Sequence, residues 1–186
     1  MIPKLESGKE DVKSIYKAYG STLLGLLIAK NFVFAYQLGD GDILFVSNDS
    51  IERVIEPDRI LGVETHSLCR EHSWEKALTV ARRIELVDQL PVMFSLSSDG
   101  YSNSYSSDAE FYHTISDYLS MLGEHGARAV SEALLEWLSE TSAMGCGDDI
   151  TMLIAYIKAA ENGFTDTPLD STGDLIAEES MNLPLR

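Results

Sequence analysis

Asp40, Asp99 and Asp148 each stand beside glycine where an apolar run meets a turn: Gly39-Asp40-Gly41-Asp42 after residues 32–38, Ser98-Asp99-Gly100 after 92–97, and Gly147-Asp148-Asp149 before 150–157. If the last two runs pair as antiparallel neighbours, the end of one lies against the start of the other and Asp99 faces Asp148. Two carboxylates that close cannot both stay ionised cheaply without a cation between them. Oxygen-only ligands at a loop-rich edge suit Mg²⁺ or Mn²⁺ rather than zinc. Taken singly, each Asp-Gly reads more readily as a hairpin turn.

Other constellations carry less. His66, Cys69 and His72 are zinc-ligand types at regular spacing, but nothing obvious supplies the fourth ligand a closed site needs. Ser97 and Ser98 precede Asp99 without a GxSxG elbow, and neither a P-loop nor GxGxxG occurs. Cys69 and Cys146 lie in unrelated contexts and read as free thiols.

The elements that must position the aspartates follow from periodicity. An amphipathic helix over 7–19 places Val12, Ile15, Tyr16 and Tyr19 on one face. Strands are expected over 21–29, 32–38, 43–46 and, more weakly, 51–55, then a long surface excursion over 58–74. Alternation predicts a strand over 76–86, and a stronger one follows at 92–97. Two helices come next, the first carrying Phe111, Ile115, Tyr118, Leu119 and Leu122 and closed by Gly123, the second carrying Val130, Ala133, Leu134, Trp137 and Leu138. A last strand spans 150–157, and the acidic segment 159–186 is expected to be a mobile tail behind a single domain over 1–158. Strands, two helices and a closing strand make an α+β layered domain with a mostly antiparallel sheet.

The 186-residue composition, 45% hydrophobic and 24% charged, fits one globular domain. Thirty acids against fourteen Lys and Arg give a net charge of −16, which argues against nucleic acid and anionic membranes as partners. The apolar run 23–29 is far shorter than the roughly 20 residues of a membrane span, and the N-terminus lacks a signal-peptide pattern, so a cytoplasmic location is expected.

Four motifs in order, Tyr19-Gly20-Ser21-Thr22-Leu23-Leu24, Gly39-Asp40-Gly41-Asp42, Ser98-Asp99-Gly100 and Gly147-Asp148-Asp149-Ile150-Thr151, resemble those of the protein phosphatase 2C family of metal-dependent phosphatases, above all its bacterial branch. The resemblance covers residues 19–157. It implies a layered α/β/β/α sandwich and hydrolysis of phosphoserine or phosphothreonine by a metal-activated water. It also implies Asp99 and Asp148 as ligands of Mg²⁺ or Mn²⁺, Asp40 joining Asp99 at an additional ion, Asp149 orienting Asp148, and Gly39 and Gly100 in support. The implied partners are a phosphoprotein substrate and a cognate serine/threonine kinase.

The family's N-terminal part, with its phosphate-gripping Arg, metal-bridging Asp and general-acid His, has no counterpart here. Three explanations stay open: a fragment of a complete phosphatase, a non-catalytic relative that binds phosphoproteins or regulates a kinase, or strands supplied by another chain. The chain alone is expected to be weakly active or inactive, and, through an uncovered sheet edge, to be an oligomer or a poorly behaved monomer.

Overall fold

The computed structural model describes residues 20–56 and 66–159. The expected helix over 7–19, much of the excursion and almost all of the acidic tail lie outside the described residues. Seven strands are present: β1 (Leu23–Ile28), β2 (Phe32–Leu38), β3 (Asp42–Val46), β4 (Ile51–Arg53), β5 (Leu78–Arg83), β6 (Val92–Ser97) and β7 (Met152–Ile157). A short helix α1 (Asp99–Ser102) and a long one, α2 (Asp108–Met144), separate β6 from β7.

Every pairing is antiparallel, in a three-stranded sheet β1-β2-β5 and a four-stranded sheet β4-β3-β6-β7. Alternation along β2 shows why the sheets stack: Val33 and Ala35 point into the core, whereas Phe32 and Phe34 face outward. They meet Ile43, Phe45, Val92, Phe94 and Leu96 from the opposing sheet, with the Phe45 and Phe94 rings 5.1 Å apart. β3 and β6 are buried along their whole length because α2 covers their other face. There Leu44, Val46 and Met93 pack on Phe111, Ile115, Tyr118, Leu119 and Leu122. The sandwich of antiparallel sheets with helix packed outside is the α+β class expected. Among the described residues helix covers the four-stranded sheet only, and Leu27, Phe32 and Phe34 stay exposed on the outer face of the other.

Some boundaries differ from expectation for local reasons. The fourth strand ends at Arg53, because Val54 and Ile55 turn inward to fill the core between the sheets. The strand expected over 76–86 is trimmed to Leu78–Arg83 by 3-10 turns at Ser73–Lys76 and Val87–Gln89. The two expected helices are both present, but they meet at Gly126 rather than Gly123. Gly126 adopts φ 80°, a left-handed value that glycine reaches at little cost, while the helix runs on through Gly123. The start of α2 is capped by Ser107, whose Oγ accepts from Glu110 N, while the Glu110 carboxylate reaches back to accept from Ser106 N and Oγ.

Candidate metal centre

The register of the four-stranded sheet decides where the aspartates fall. Asp42 pairs with Ser97, and Ser97 pairs with Met152. The start of β3, the end of β6 and the start of β7 therefore share one end of the sheet. Asp40 lies in the turn just before β3, Asp99 opens α1 just after β6, and Asp148 lies in the loop leading to β7.

Asp99 registers this convergence. Partial burial raises its carboxyl above the usual carboxylate range, and the charges of Asp40 and then Asp148 push it the same way. Asp40 and Asp148, from two separate elements, thus both bear on Asp99.

The junction between β6 and β7 is closely tied. Ser98 N donates to Thr151 O at 2.9 Å, Thr151 N donates to Ser98 Oγ at 3.0 Å, and Ser98 Oγ donates to Asp149 O at 3.2 Å. Asp148 is held twice, its Oδ1 accepting from Asp149 N at 2.9 Å and its carbonyl from Ser142 Oγ at 2.6 Å. Asp149 thus reaches Asp148 through its main-chain N–H, a bond that any residue but proline can make. Ser104 Oγ and Cys146 Sγ both donate to Gly100 O, pinning the 145–147 loop to α1. The thiols of Cys69 and Cys146 are free.

Gly100 is required by close approach. A Cβ there would lie 2.8 Å from the carbonyl oxygen of Asp149 and 3.2 Å from Asp148 Cβ. Gly100→Ala is expected to force the Asp148–Asp149 loop away from Asp99 and to cost about 1–3 kcal/mol of stability, as overpacking does. Urea unfolding of the variant checks this; an unchanged midpoint would show that the loop yields freely. Gly39 is required on both counts: a Cβ there would lie 2.3 Å from Thr22 Cγ2, and its φ of 101° lets the chain turn ahead of Asp40.

The donor chemistry at this edge fits a hydrated divalent cation. Its three side chains are carboxylates, and Asp99 is disfavoured as an anion first by burial and then by the charges of Asp40 and Asp148. Among the described residues no three His, Cys, Asp or Glu side chains close tightly enough to hold an ion by themselves. An ion here would rest on one or two carboxylates and complete its shell with water or phosphate oxygens, the habit of Mg²⁺. His66, Cys69 and His72 form no such group either; the exposed His72 instead lies against Trp74 and 3.5 Å from Glu75.

Two features behind this edge escaped sequence reasoning. Gln37 is fully buried in β2, and its amide reaches the turn that carries Asp40. Asp42, also buried, accepts from Arg53 Nε at 2.7 Å, and the same guanidinium forks onto Asp108 at the start of α2. A polar residue at an inward position of a strand is the signal that could have found Gln37.

The sandwich agrees with the comparisons with known proteins. The family model described as protein phosphatase 2C matches residues 5–139, and the chain belongs to that family. The match stops short of Asp148, so that aspartate rests on its place in the loop before β7. No curated protein matches the sequence.

Among solved structures, the chain is similar to the Mycobacterium tuberculosis serine/threonine phosphatase PstP/Ppp, at 17% identity over 79% of this chain and 68% of that one, with a TM-score of 0.53. It is also similar to PppA, a regulatory component of the type VI secretion system in Pseudomonas aeruginosa (19% identity, 80% of this chain and 65% of that one, TM-score 0.52). A third likeness is to the catalytic domain of PstP in complex with two manganese ions (19% identity, 79% and 67%, TM-score 0.51). The chain spans about two thirds of the length of these structures, and at such identities the likeness is one of fold. No helix among the described residues is long and apolar enough to cross a membrane.

Proposed function

We propose that this protein phosphatase 2C domain binds Mg²⁺ or Mn²⁺ at the Asp40, Asp99 and Asp148 edge and hydrolyses phosphoserine or phosphothreonine in a phosphoprotein. The observation that carries the reading is the register of the four-stranded sheet, which brings the turn of Asp40, the end of β6 before Asp99 and the loop of Asp148 to one edge, where the partly buried Asp99 also feels the other two charges. Such an arrangement is costly when empty and favourable when a cation is present. A divalent ion there supplies an activated water nucleophile and neutralises charge on the phosphoryl oxygens.

The chain's own residues supply the frame. Asp99 and Asp148 bind, with Asp148 oriented by the Asp149 N–H and by Ser142. Asp40 joins from the β2–β3 turn. The Ser98–Thr151 bonds keep the two strand ends from parting.

The test is release of phosphate from a phosphothreonine peptide by the full chain with Mn²⁺. We expect weak turnover that rises with Mn²⁺ and disappears in EDTA. No turnover together with calorimetric Mn²⁺ and phosphopeptide binding would replace the catalytic reading with that of a phosphoprotein-binding module. Absence of both turnover and Mn²⁺ binding would overturn the metal centre itself.

A further inference from the structure

Gln37 occupies a position that β2 otherwise gives to apolar residues, inward-facing after Val33 and Ala35. Its Nε2 donates to Gly39 O at 3.1 Å and to Gly41 O at 2.6 Å. Both partners are carbonyl acceptors, so only the NH₂ end of the amide can face them. Both amide protons are thereby used on the two carbonyls that bracket Asp40. The other end of the amide, Oε1, is buried without a hydrogen-bond partner among the described residues.

A buried acceptor left unpaired is a cost that an apolar side chain of the same length would avoid. Gln37 therefore serves the turn rather than the core. The turn is also seated against the end of β6, since a Cβ on Gly41 would lie 2.5 Å from Ser97 O, and Ser97 is separated from Asp99 by a single residue. Holding the Gly39 and Gly41 carbonyls inward fixes the turn that carries Asp40 against the end of β6, near Asp99 in sequence.

We propose that Gln37 is a positioning residue that sets Asp40 against the Asp99–Asp148 pair and tunes cation affinity there without touching the ion. The inference rests on reading this edge as a divalent-metal centre. Groups that orient ligands from behind typically change metal affinity about 10- to 100-fold when removed.

The experiment is calorimetric titration of the full chain with MnCl₂ alone, for wild type, Asp40→Asn, Gln37→Met and the double variant. Gln37→Met keeps the side-chain length and removes both donors. We expect Gln37→Met to weaken Mn²⁺ by about tenfold or more, and the double variant to bind no more weakly than Asp40→Asn alone. Wild-type affinity in Gln37→Met, or losses that add in the double variant, would overturn the positioning role while leaving the metal centre standing. A folded wild type that binds no Mn²⁺ would instead overturn the metal reading and this inference with it.

A readout that needs no variant guards against misfolding. In ¹⁵N spectra of the wild type the Gln37 side-chain amide should be protected from solvent exchange and should shift on addition of Mg²⁺. A rapidly exchanging amide would overturn the proposal.

Discussion

Arg53→Ala is expected to cost about 3–5 kcal/mol of folding stability, the usual penalty for breaking a buried ion pair from one side. The side chains of Arg53 and Asp42 are 4% and 0% exposed, and Nε meets Asp42 Oδ1 at 2.7 Å. The guanidinium fork reaches Asp108 at 2.9 and 3.2 Å, donates to the Tyr112 hydroxyl, and lies 5.1 Å from the centre of the Tyr112 ring. Burial alone would lower the proton affinity of Arg53, but the hydrogen bonds to Asp108 and Asp42 outweigh it, and the group is held charged. Removing it takes from the buried Asp42 carboxylate its 2.7 Å guanidinium contact, two residues from Asp40. Arg53→Lys should recover only part of the loss, because an ammonium cannot reproduce the fork. Asp108→Asn, at the 52% exposed end of the network, should cost less than about 1 kcal/mol. Replacing both buried partners, as Arg53→Met with Asp42→Asn, should be milder than Arg53→Ala alone. Urea unfolding of the four variants ranks them. A loss below about 1 kcal/mol for Arg53→Ala would show that Asp42 is satisfied without Arg53, by water or by another group.

That network also marks the limit of what the chain discloses before it folds. The strands β2, β3, β6 and β7 were legible because alternating or continuous apolar runs bounded by Gly and Asp admit few other readings. From their antiparallel pairing the meeting of Asp99 with Asp148 followed at once. Arg53, by contrast, sits in Ile51-Glu52-Arg53-Val54, a context that reads as an edge strand with solvated charges. Its partners lie 11 and 55 residues away, and no local pattern joins them. The helix α1 was missed because four residues make little more than one turn and carry no period. The break at Gly126 was misplaced for a related reason: the buried stripe ends at Leu122, yet the chain runs helical for another turn before φ changes sign. Asp40 is the intermediate case. Its Asp-Gly turn was evident, but the buried amide that holds the turn in place came from Gln37, whose neighbours in sequence are tyrosine and leucine.

Asp99→Asn should reverse the order of stability with and without metal. In the folded chain the Asp99 carboxyl is raised, first by burial and then by Asp40 and Asp148. The folded state therefore holds this proton more tightly than the unfolded chain, whose Asp titrates near 3.9. The contribution of Asp99 to stability is fully present below that value and is lost as pH rises through the raised folded pKa. Above that window the anion opposes folding whenever no cation is bound. The asparagine variant removes this opposition. In EDTA at neutral pH it should melt higher than wild type, and the difference should shrink as pH falls toward about 4. Mn²⁺ should then stabilise the wild type, by about 2.7 kcal/mol at a hundredfold excess over Kd, and leave the variant nearly unmoved. Phosphopeptide turnover should fall by about 100-fold or more, the scale on which a single catalytic group is felt. Scanning calorimetry in EDTA and in Mn²⁺ at two pH values contains the whole test. If the variant melts below wild type in EDTA at neutral pH, the three aspartates do not oppose one another and the edge is a set of turns. If both proteins gain equally from Mn²⁺, the ion binds elsewhere on a chain whose charge of −16 offers many weaker places.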